Sequence, residues 1–177
     1  MLVYQPAEDS YLMQNVLETK IPILLKRNPC LSVLEVGSGS GIQLQKIKEL
    51  GVKNILSCDV NSDAVKECKR IGFNCVNSNL FSNIKDKYDI IIFNPPYLPE
   101  NIDEPQDSRI ATTGGKFGSE VINKFLFQAK KHLKSNGKIF LLTSNLTKKI
   151  NWQNFKKKKI AEKKLFFEKL FVWELRL

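Results

Sequence analysis

A five-residue, mostly apolar run that is followed after one residue by two prolines constrains this chain more than any other feature. Residues 89–93 read Asp-Ile-Ile-Ile-Phe, which is typical of a buried parallel strand. Asn94 comes next and is followed by Pro95 and Pro96, which have no N–H to donate, so the strand must end there. Asn94 is therefore expected at the carboxyl end of a buried strand, the edge where open α/β sheets bind their ligands.

Asn94 and the residues after it are suited to hold a flat amino group. The asparagine side chain offers an acceptor oxygen and two N–H donors, and the carbonyl of Pro95 is a second acceptor. Tyr97 supplies a planar ring beside them. We therefore predict that this tetrapeptide binds a planar NH2 group of a substrate.

Strand and helix patterns alternate along most of the chain. Predicted strands cover residues 31–36, 54–59, 73–76, 88–93 and 138–143, and predicted helices cover residues 42–50, 63–71 and 119–133. Two further strand-like runs, 160–166 and 169–177, have almost no chain between them, so they are expected to pair as an antiparallel hairpin. The pattern predicts an α/β fold, a Rossmann-like, mostly parallel sheet of seven strands with helices on both faces.

The composition favours one cytoplasmic domain spanning residues 1–177. With 42% hydrophobic residues the chain can bury a single core, no stretch is long enough to span a membrane, and the start lacks a secretion signal. The four cysteines show no CxxC spacing and His132 is the single histidine, which disfavours a zinc site and a hydrolytic triad. We expect reduced cysteines in the core, and we expect His132 at a helix end where its partial charge suits the dipole.

The net charge and one segment without periodicity give two further expectations. The net charge of +10 favours an acidic or nucleic-acid-associated partner, and the lysines at 156–159 are interpreted as a solvated helix end. Residues 98–118 have no periodicity and directly follow the tetrapeptide, so they are expected to form a substrate loop.

A second motif closes the first predicted strand. Glu35 is followed by glycines at 37, 39 and 41, which allow a sharp turn and a close approach of the backbone to a ligand at the start of a helix. The spacing is GxGxG rather than the dinucleotide pattern GxGxxG, which lowers the expectation of a nicotinamide or flavin. Asp59 ends the second strand, where a carboxylate can accept hydrogen bonds from two ribose hydroxyls.

Together these motifs resemble a known family. The glycine motif, Asp59 and the Asn-Pro-Pro-Tyr sequence, in this order and on these strands, are similar to class I S-adenosylmethionine-dependent methyltransferases that act on planar nitrogen. Residues 4–10, the Gly114-Gly115-x-x-Gly118 sequence and residues 168–172 resemble the archaeal and eukaryotic branch of the HemK-like protein-glutamine methyltransferases. The resemblance covers nearly the whole chain.

The resemblance implies an activity and a cofactor. It implies methyl transfer from S-adenosylmethionine to the glutamine amide nitrogen in the Gly-Gly-Gln motif of a class I translation release factor. The residues implied to bind the cofactor are Glu35, Gly37, Gly39, Gly41, Asp59, Asn79, Leu80 and Asn94. The residues implied to bind the substrate are Glu8, Asp9, Asn94, Pro95, Pro96 and Tyr97, with Asn94, Pro95 and Tyr97 in the catalytic roles.

Two of these assignments are less direct. The family usually has an acidic residue where this chain has Asn79, although the amide oxygen can still accept from the adenine amino group. Glu8, Asp9 and Ser10 match a segment, within residues 1–18, that folds over the pocket in the family. A plain N-cap for a helix over residues 11–17 is an equally good interpretation of these three residues.

The resemblance also implies a protein partner. In the family-like strand order the third strand, near Phe73 and Val76, lies at an edge of the sheet, and an uncapped apolar edge invites strand addition. Members of this branch look to require a small zinc-binding activator protein that docks there.

Two other functions remain open from the sequence. The same tetrapeptide serves exocyclic base nitrogens, so an adenine-N6 or guanine-N2 nucleic-acid methyltransferase is the nearest alternative, although base-flipping enzymes usually need more recognition surface. A non-catalytic binding module that retains the fold is the other. An idle site has no physical need for Asn94 together with Asp59, which disfavours it.

Overall fold

The computed structural model describes residues 5–101 and 112–177. The helices are α1 (Glu8–Arg27), α2 (Ile42–Glu49), α3 (Ser62–Arg70) and α4 (Glu120–His132). The strands are β1 (Ser32–Val36), β2 (Asn54–Asp59), β3 (Cys75–Asn77), β4 (Tyr88–Phe93), β5 (Leu133–Ser144), β6 (Lys156–Lys164) and β7 (Lys169–Arg176).

The seven strands form one sheet in the order β3-β2-β1-β4-β5-β7-β6. The strands from β3 to β5 pair in parallel, whereas β7 is antiparallel to both of its neighbours. This confirms the predicted α/β class with a mostly parallel sheet and a terminal hairpin. Because β1 and β4 lie at the centre, their carboxyl ends meet in the middle of one edge.

The central strands are buried on both faces of the sheet. In β4, Ile90 and Ile92 pack on one side with Met13 of α1. Phe93 packs on the other side with Phe125 of α4, with ring centroids 4.4 Å apart. Alternate residues of a strand point to opposite faces, so a strand covered on both faces reads as a continuous apolar run. The mostly apolar sequence of residues 89–93 is therefore explained by helices that pack on both faces of the sheet.

The predicted bounds of β2 and β4 are confirmed, whereas those of the other five strands are shifted, most clearly at the starts of β3, β5 and β6. The predicted strand 73–76 begins later, because the N–H of Phe73 is used by the turn after α3, donating to the carbonyl of Cys68 at 3.1 Å. The predicted strand 138–143 begins earlier, because Leu133 follows α4 directly and already pairs with Tyr88.

Helix α1 begins before the predicted residue. Glu8, Asp9 and Ser10 form its first turn, and the N-cap position is Ala7, which makes no side-chain capping hydrogen bond. The interpretation of these three residues as an N-cap is therefore wrong. Two carboxylates in the first turn stabilise a helix through its dipole instead.

The lysine run at 156–159 lies in strand β6 and not at a helix end. A run of one residue type has no periodicity, so the sequence could not distinguish strand from helix here. Because β6 is an edge strand, its exposed lysines discourage pairing with another chain. Lys157 lies 4.5 Å from the ring of Trp152, and Lys159 lies 4.9 Å from the ring of Phe171.

The cysteines divide into two groups. Cys58, Cys68 and Cys75 are buried free thiols, as expected. Cys30 is an exposed free thiol in the connection between α1 and β1, so the expectation that it lies in the core is wrong. Connections between elements run over the surface, where a cysteine has no apolar neighbours to cover it.

His132 is the last residue of α4, the position that the sequence predicts. Its ring stacks on Phe81 with centroids 4.7 Å apart, and its Nδ1 lies 3.1 Å from the carbonyl oxygen of Asp86. The histidine therefore links the end of α4 to the chain that leads into β4. Over residues 5–101 and 112–177, no helix combines the length and apolarity that crossing a membrane requires.

Candidate active site

A cavity of about 400 Å³ opens at the carboxyl ends of β1, β2 and β4. Its wall includes Gly37 and Gly39 from the turn after β1, Asp59 from the end of β2, and Asn94 directly after β4. Asp9, from the first turn of α1, lies on the wall as well. The topology thus brings the two sequence motifs to one cavity at the edge where parallel sheets bind ligands.

The glycine turn after β1 is built from left-handed backbone. Gly39 has φ of 48° and Gly41 has φ of 78°, values that L side chains rarely adopt. A Cβ on Gly39 would meet no atom within 4 Å, so its backbone faces open space in the cavity wall. Gly41 is the N-cap of α2, and a Cβ there would lie 2.6 Å from Ile71 Cδ1. Gly39 allows close approach of a ligand, whereas Gly41 leaves room for the side chain of Ile71, the C-cap of α3.

Asp59 is fixed between the glycine turn and helix α3. Its Oδ2 accepts the backbone N–H of Gly39 at 2.9 Å, and its Oδ1 accepts the N–H of Asn61 at 2.8 Å. Asn61 is the N-cap of α3 and accepts from the N–H of Asp63, so the cap does not depend on Asp59. The carboxylate is half-buried on the cavity wall, with a fixed orientation toward the space beside the turn.

Three buried acceptor atoms on the cavity wall have no hydrogen-bond partner within the described residues. They are Glu35 Oε2, Gln43 Oε1 and Asn94 Oδ1. Buried polar atoms in folded proteins are nearly always hydrogen-bonded, so each of these indicates a donor supplied by a ligand. A ligand with several N–H groups fits this wall.

Glu35 is the most deeply buried carboxyl of the site, with 3% of its surface exposed. Burial raises the pKa of Glu35 well above the usual range, and the negative charges of Asp59 and Cys75 raise it further. A cationic ligand group beside Glu35 would offset this cost. The carboxyl is therefore placed to receive an ammonium group.

Asn94 is held by one specific partner. Its Nδ2 donates to Asp9 Oδ2 at 3.0 Å, and its Oδ1 is buried and unpartnered within the described residues. The next residue, Pro95, is buried, and both Pro95 and Pro96 line the cavity. Asn94 is thus a residue of the cavity wall with an unused side-chain acceptor.

Two glycines pack against the backbone that follows Asn94. A Cβ on Gly114 would lie 2.6 Å from the carbonyl oxygen of Pro96 and 2.8 Å from the carbonyl carbon of Gly118. A Cβ on Gly118 would lie 2.9 Å from the carbonyl carbon of Leu98. These neighbours are backbone atoms that cannot turn away, so this contact requires glycine at positions 114 and 118. It fixes the tetrapeptide from behind.

The predicted substrate loop is described only in part. The N–H of Leu98 donates to the carbonyl of Thr112 at 2.9 Å, and Gly114 donates back to Leu98 at 2.9 Å. Residues 102–111 of this loop, and residues 1–4 of the segment expected over the pocket, lie outside the described residues.

Two predicted substrate residues lie away from the cavity wall. Glu8 is exposed and forms an ion pair with Lys163 of β6. The ring of Tyr97 is half-buried and packs against both apolar cores, and its carbonyl accepts from Thr147 Oγ1 at 2.8 Å. The contact of Tyr97 with a planar amide stays a prediction.

The predicted adenine pair follows strand β3, at the carboxyl edge of the sheet. Asn79 is exposed, and its backbone N–H donates to Ser82 Oγ at 3.2 Å. Leu80 is buried with φ of 53°, a left-handed conformation that a leucine rarely adopts. Both residues line the cavity, as an adenine-binding role requires.

The structure also identifies site residues that the sequence did not single out. Gln43 of α2 is 3% exposed and donates from Nε2 to the carbonyl of Ser10 at 2.8 Å. Phe93, Thr113, Val121 and Lys124 complete parts of the wall. A glutamine in an amphipathic helix carries no motif, and only the packing of α2 against α1 reveals its position. Within residues 5–101 and 112–177, no group of three or more His, Cys, Asp or Glu residues could hold a metal ion.

A reversed β7 in a seven-stranded sheet, a glycine turn after β1 and a carboxylate at the end of β2 define an S-adenosylmethionine-dependent methyltransferase of class I. Residues 16–167 match the family model of the methyltransferase small domain, and the chain belongs to that family.

Similar proteins fall in the predicted branch. A Methanocaldococcus jannaschii protein named as a protein N5-glutamine methyltransferase is 36% identical, over 98% of this chain and 92% of that protein. Methyltransferase HEMK2 of Mus musculus is 31% identical over 80% of this chain and 71% of its own length. The solved E. cuniculi Mtq2–Trm112 complex, described as responsible for methylation of the eRF1 translation termination factor, shares the fold, with a TM-score of 0.76 and 23% identity over 99% of both chains.

The cavity wall fits the cofactor of this family. S-adenosylmethionine carries an ammonium group, two ribose hydroxyls and an adenine amino group, all of them hydrogen-bond donors. The buried acceptors Glu35 Oε2 and Gln43 Oε1, the carboxylate of Asp59, and the side-chain oxygen of Asn79 offer complementary acceptors. The chain is an S-adenosylmethionine-dependent enzyme whose site supplies acceptors for the hydrogen-bond donors of the cofactor.

Proposed function

We propose that this enzyme methylates the side-chain amide nitrogen of the glutamine in the Gly-Gly-Gln motif of a class I translation release factor. The names of its relatives support a glutamine substrate, and the similar Mtq2–Trm112 complex supports a termination factor. The single observation that carries the proposal is Asn94 Oδ1, a buried acceptor without a partner in the described part of the chain, on the cavity wall beside Pro95.

The cofactor site is proposed to follow the donor and acceptor pattern of the wall. Glu35 would hold the ammonium group, Asp59 the ribose hydroxyls, and Asn79 with Leu80 the adenine. Gly37 and Gly39 would allow the methionine part to approach the backbone, and Gly41 would complete the turn. When bound, the cofactor supplies an electrophilic methyl group on a sulfonium centre.

Orientation of the substrate is the main task of the protein. An amide nitrogen is a poor nucleophile because its lone pair is delocalised into the carbonyl. If Asn94 Oδ1 and the Pro95 carbonyl each accept one N–H, the nitrogen is fixed in place and positive charge that develops on it is stabilised. Methyl transfer would form the new N–C bond as the bond between the methyl carbon and sulfur breaks. The acidic proton that the nitrogen then carries would leave to water, so no strong base is needed.

Mass spectrometry of a release factor tests this proposal directly. The purified factor is incubated with isotopically labelled S-adenosylmethionine and the enzyme, and the expected result is one added methyl group on the Gly-Gly-Gln glutamine. The Asn94→Ala variant should transfer no methyl group and should bind the cofactor within a few-fold of the wild-type affinity. Label on another residue contradicts the proposal. Absence of label from an enzyme that binds the cofactor contradicts it as well.

Because the chain is strongly basic, the methylation assay must also include nucleic-acid substrates. A net charge of +10 favours phosphate, and an exocyclic base nitrogen presents a planar NH2 as glutamine does. The same assay with DNA and RNA is expected to give no label above that of the Asn94→Ala control. Label on nucleic acid but not on the release factor would replace the proposed substrate with an adenine or guanine.

We also propose that a small zinc-binding activator protein adds to the edge at β3. The two edges of the sheet differ in chemistry: β6 is lined with exposed lysines, whereas β3 contains no lysine, arginine, aspartate or glutamate. The similar Mtq2 chain was solved together with Trm112. An uncharged edge invites strand addition, and a partner there would cover it.

A further inference from the structure

The amide of Asn94 has two orientations that differ little in shape. Its oxygen and nitrogen are similar in size, so packing alone does not decide which of them faces the substrate. The choice depends on what each atom can bond. With the oxygen toward the cavity, the side chain can accept from a substrate N–H, whereas with the nitrogen toward the cavity, two donors would face each other.

Asp9 is the residue that decides between these orientations. Its Oδ2 lies 3.0 Å from Asn94 Nδ2, and an ionised carboxylate can only accept. The NH2 group of Asn94 must therefore point toward Asp9, which leaves Oδ1 as the unused acceptor of a residue on the cavity wall. Asp9 is only 5% exposed, so water competes little for this hydrogen bond.

Asp9 is itself held in place by the elements around it. Its Oδ1 accepts the N–H of Ser10 at 2.7 Å, which fixes the carboxylate against its own helix. Two glutamines then fasten α1 to α2: Gln43 donates to the carbonyl of Ser10 at 2.8 Å, and Gln14 donates to the carbonyl of Ile42 at 3.2 Å. The first turn of α1 is thus anchored behind the acceptor side chain.

We infer that Asp9 is a positioning residue that acts through Asn94. It selects the amide orientation in which Oδ1 accepts from the substrate nitrogen, and its effect on methyl transfer passes through that one hydrogen bond. This role differs from the direct substrate contact that the family resemblance implies for Asp9. The inference rests on the proposed amide substrate.

Exchanging the two side chains tests the inference. Asp9→Asn leaves two amides with no fixed orientation, and Asn94→Asp places two carboxylates against each other. The double variant Asp9→Asn with Asn94→Asp restores one donor and one acceptor, and again leaves an oxygen facing the cavity. Double-mutant cycles isolate such coupling between residues in contact.

The expected result is a loss in kcat followed by recovery. Each single variant should lower kcat by about 100-fold, the scale for losing one transition-state hydrogen bond, and the double variant should recover at least about tenfold over either. KM for the release factor and cofactor affinity should stay within about threefold of wild type in Asp9→Asn, because uniform binding is retained. Glu18→Gln, which removes a carboxylate from the exposed side of the same helix, is the matched control and should keep wild-type kcat.

A direct contact between Asp9 and the substrate predicts different kinetic constants for these variants. In that case Asp9→Asn raises KM, and the double variant falls to the product of the two single losses. Either result overturns the inference. Unchanged kcat in Asp9→Asn overturns it as well.

A spectroscopic measurement separates this inference from the proposed function. In ¹⁵N-labelled protein, the side-chain amide protons of Asn94 should exchange slowly with water and be shifted by the bond to a carboxylate. Asp9→Ala should remove both signatures while circular dichroism and the melting temperature show a folded chain. This readout needs no substrate, so it tests the Asp9–Asn94 bond even if wild-type enzyme methylates no glutamine. An Asn94 amide that is unaffected by Asp9→Ala contradicts the inference.

Discussion

The backbone N–H of Gly39 donates to the side chain of Asp59 at 2.9 Å, joining the turn after β1 to the end of β2. The bond fixes the carboxylate at the point where two parallel strands end side by side. It also explains why the two residues matter together, because the turn brings a ligand close and the carboxylate receives its hydroxyls. Cofactor affinity should therefore depend strongly on Asp59.

Replacing Asp59 with alanine should weaken S-adenosylmethionine binding by about 1.5–3 kcal/mol, the scale of hydrogen bonds to a charged acceptor. The change removes the ribose acceptor and frees the N–H of Gly39. Isothermal titration calorimetry measures the loss, and activity should return in part at high cofactor concentration. The matched control is Asp63→Ala, which removes a partly exposed carboxylate from the first turn of α3. Equal affinity in the two variants would place the ribose contact elsewhere.

Glu35→Gln should stabilise the protein in the absence of cofactor at neutral pH. Since the pKa of Glu35 is raised in the folded state, the unfolded chain loses its proton first, and stability falls as pH rises through the interval between the two pKa values. The variant lacks this penalty, so its advantage in urea unfolding should be larger at pH 8 than at pH 5.

The same variant should bind the cofactor more weakly than wild type, because a neutral amide attracts an ammonium group less than a carboxylate does. The opposite signs of the two effects distinguish a binding carboxylate from a structural one. A Glu35→Gln variant that is less stable than wild type at pH 8 would contradict the assignment.

Gly114→Ala should disturb methyl transfer although Gly114 is not on the cavity wall. The new methyl group would press on the carbonyl oxygen of Pro96, and backbone atoms cannot move aside without shifting the tetrapeptide. We expect a stability loss of about 1–3 kcal/mol, typical of overpacking, together with a lower kcat. Gly72→Ala is the control: it has φ of 89° but no atom within 4 Å, so it adds backbone strain without a clash. Equal kcat in the two variants would refute the steric explanation.

Asn77→Pro should prevent binding of the proposed activator. The carbonyl of Asn74 accepts from Ser57, and the N–H of Ser78 donates to Asp59, so these residues face β2. Backbone groups alternate in direction along a strand, and the N–H of Asn77 therefore faces the open side of β3. Proline removes that donor.

Asn77→Ala is the matched control for this experiment. It loses the same side-chain hydrogen bonds to the carbonyls of Asp59 and Val60 but keeps the outward N–H. Co-purification with the activator should be lost in the proline variant and retained in the alanine variant. Loss in both would show that the side chain, rather than strand addition, carries the interaction.

Much of the fold could be predicted because burial leaves a periodic signal. The continuous apolar run in β4 and the glycines after β1 indicated both the parallel sheet and the edge that binds ligands. The lysines of β6 gave no such signal, since one repeated residue type fits a strand and a helix equally well.

The residues of the candidate site also divide into those that the sequence could predict and those that it could not. Residues on strand ends, such as Asp59 and Asn94, were predictable because topology alone brings strand ends together. The hydrogen bond between Asp9 and Asn94 joins residues 85 positions apart and depends on how α1 packs over the sheet. Gln43 likewise depends on the contact between two helices, which no local pattern encodes.

The exposed thiol of Cys30 makes the chain convenient for single-site labelling. It precedes β1, so it lies toward the amino ends of the parallel strands, on the side of the sheet opposite the cavity, while the other three cysteines are buried. A maleimide dye or a surface linker attached there would leave both the cavity and the β3 edge accessible. Fluorescence anisotropy and surface-capture assays could then follow substrate and activator binding on the unmodified wild-type sequence.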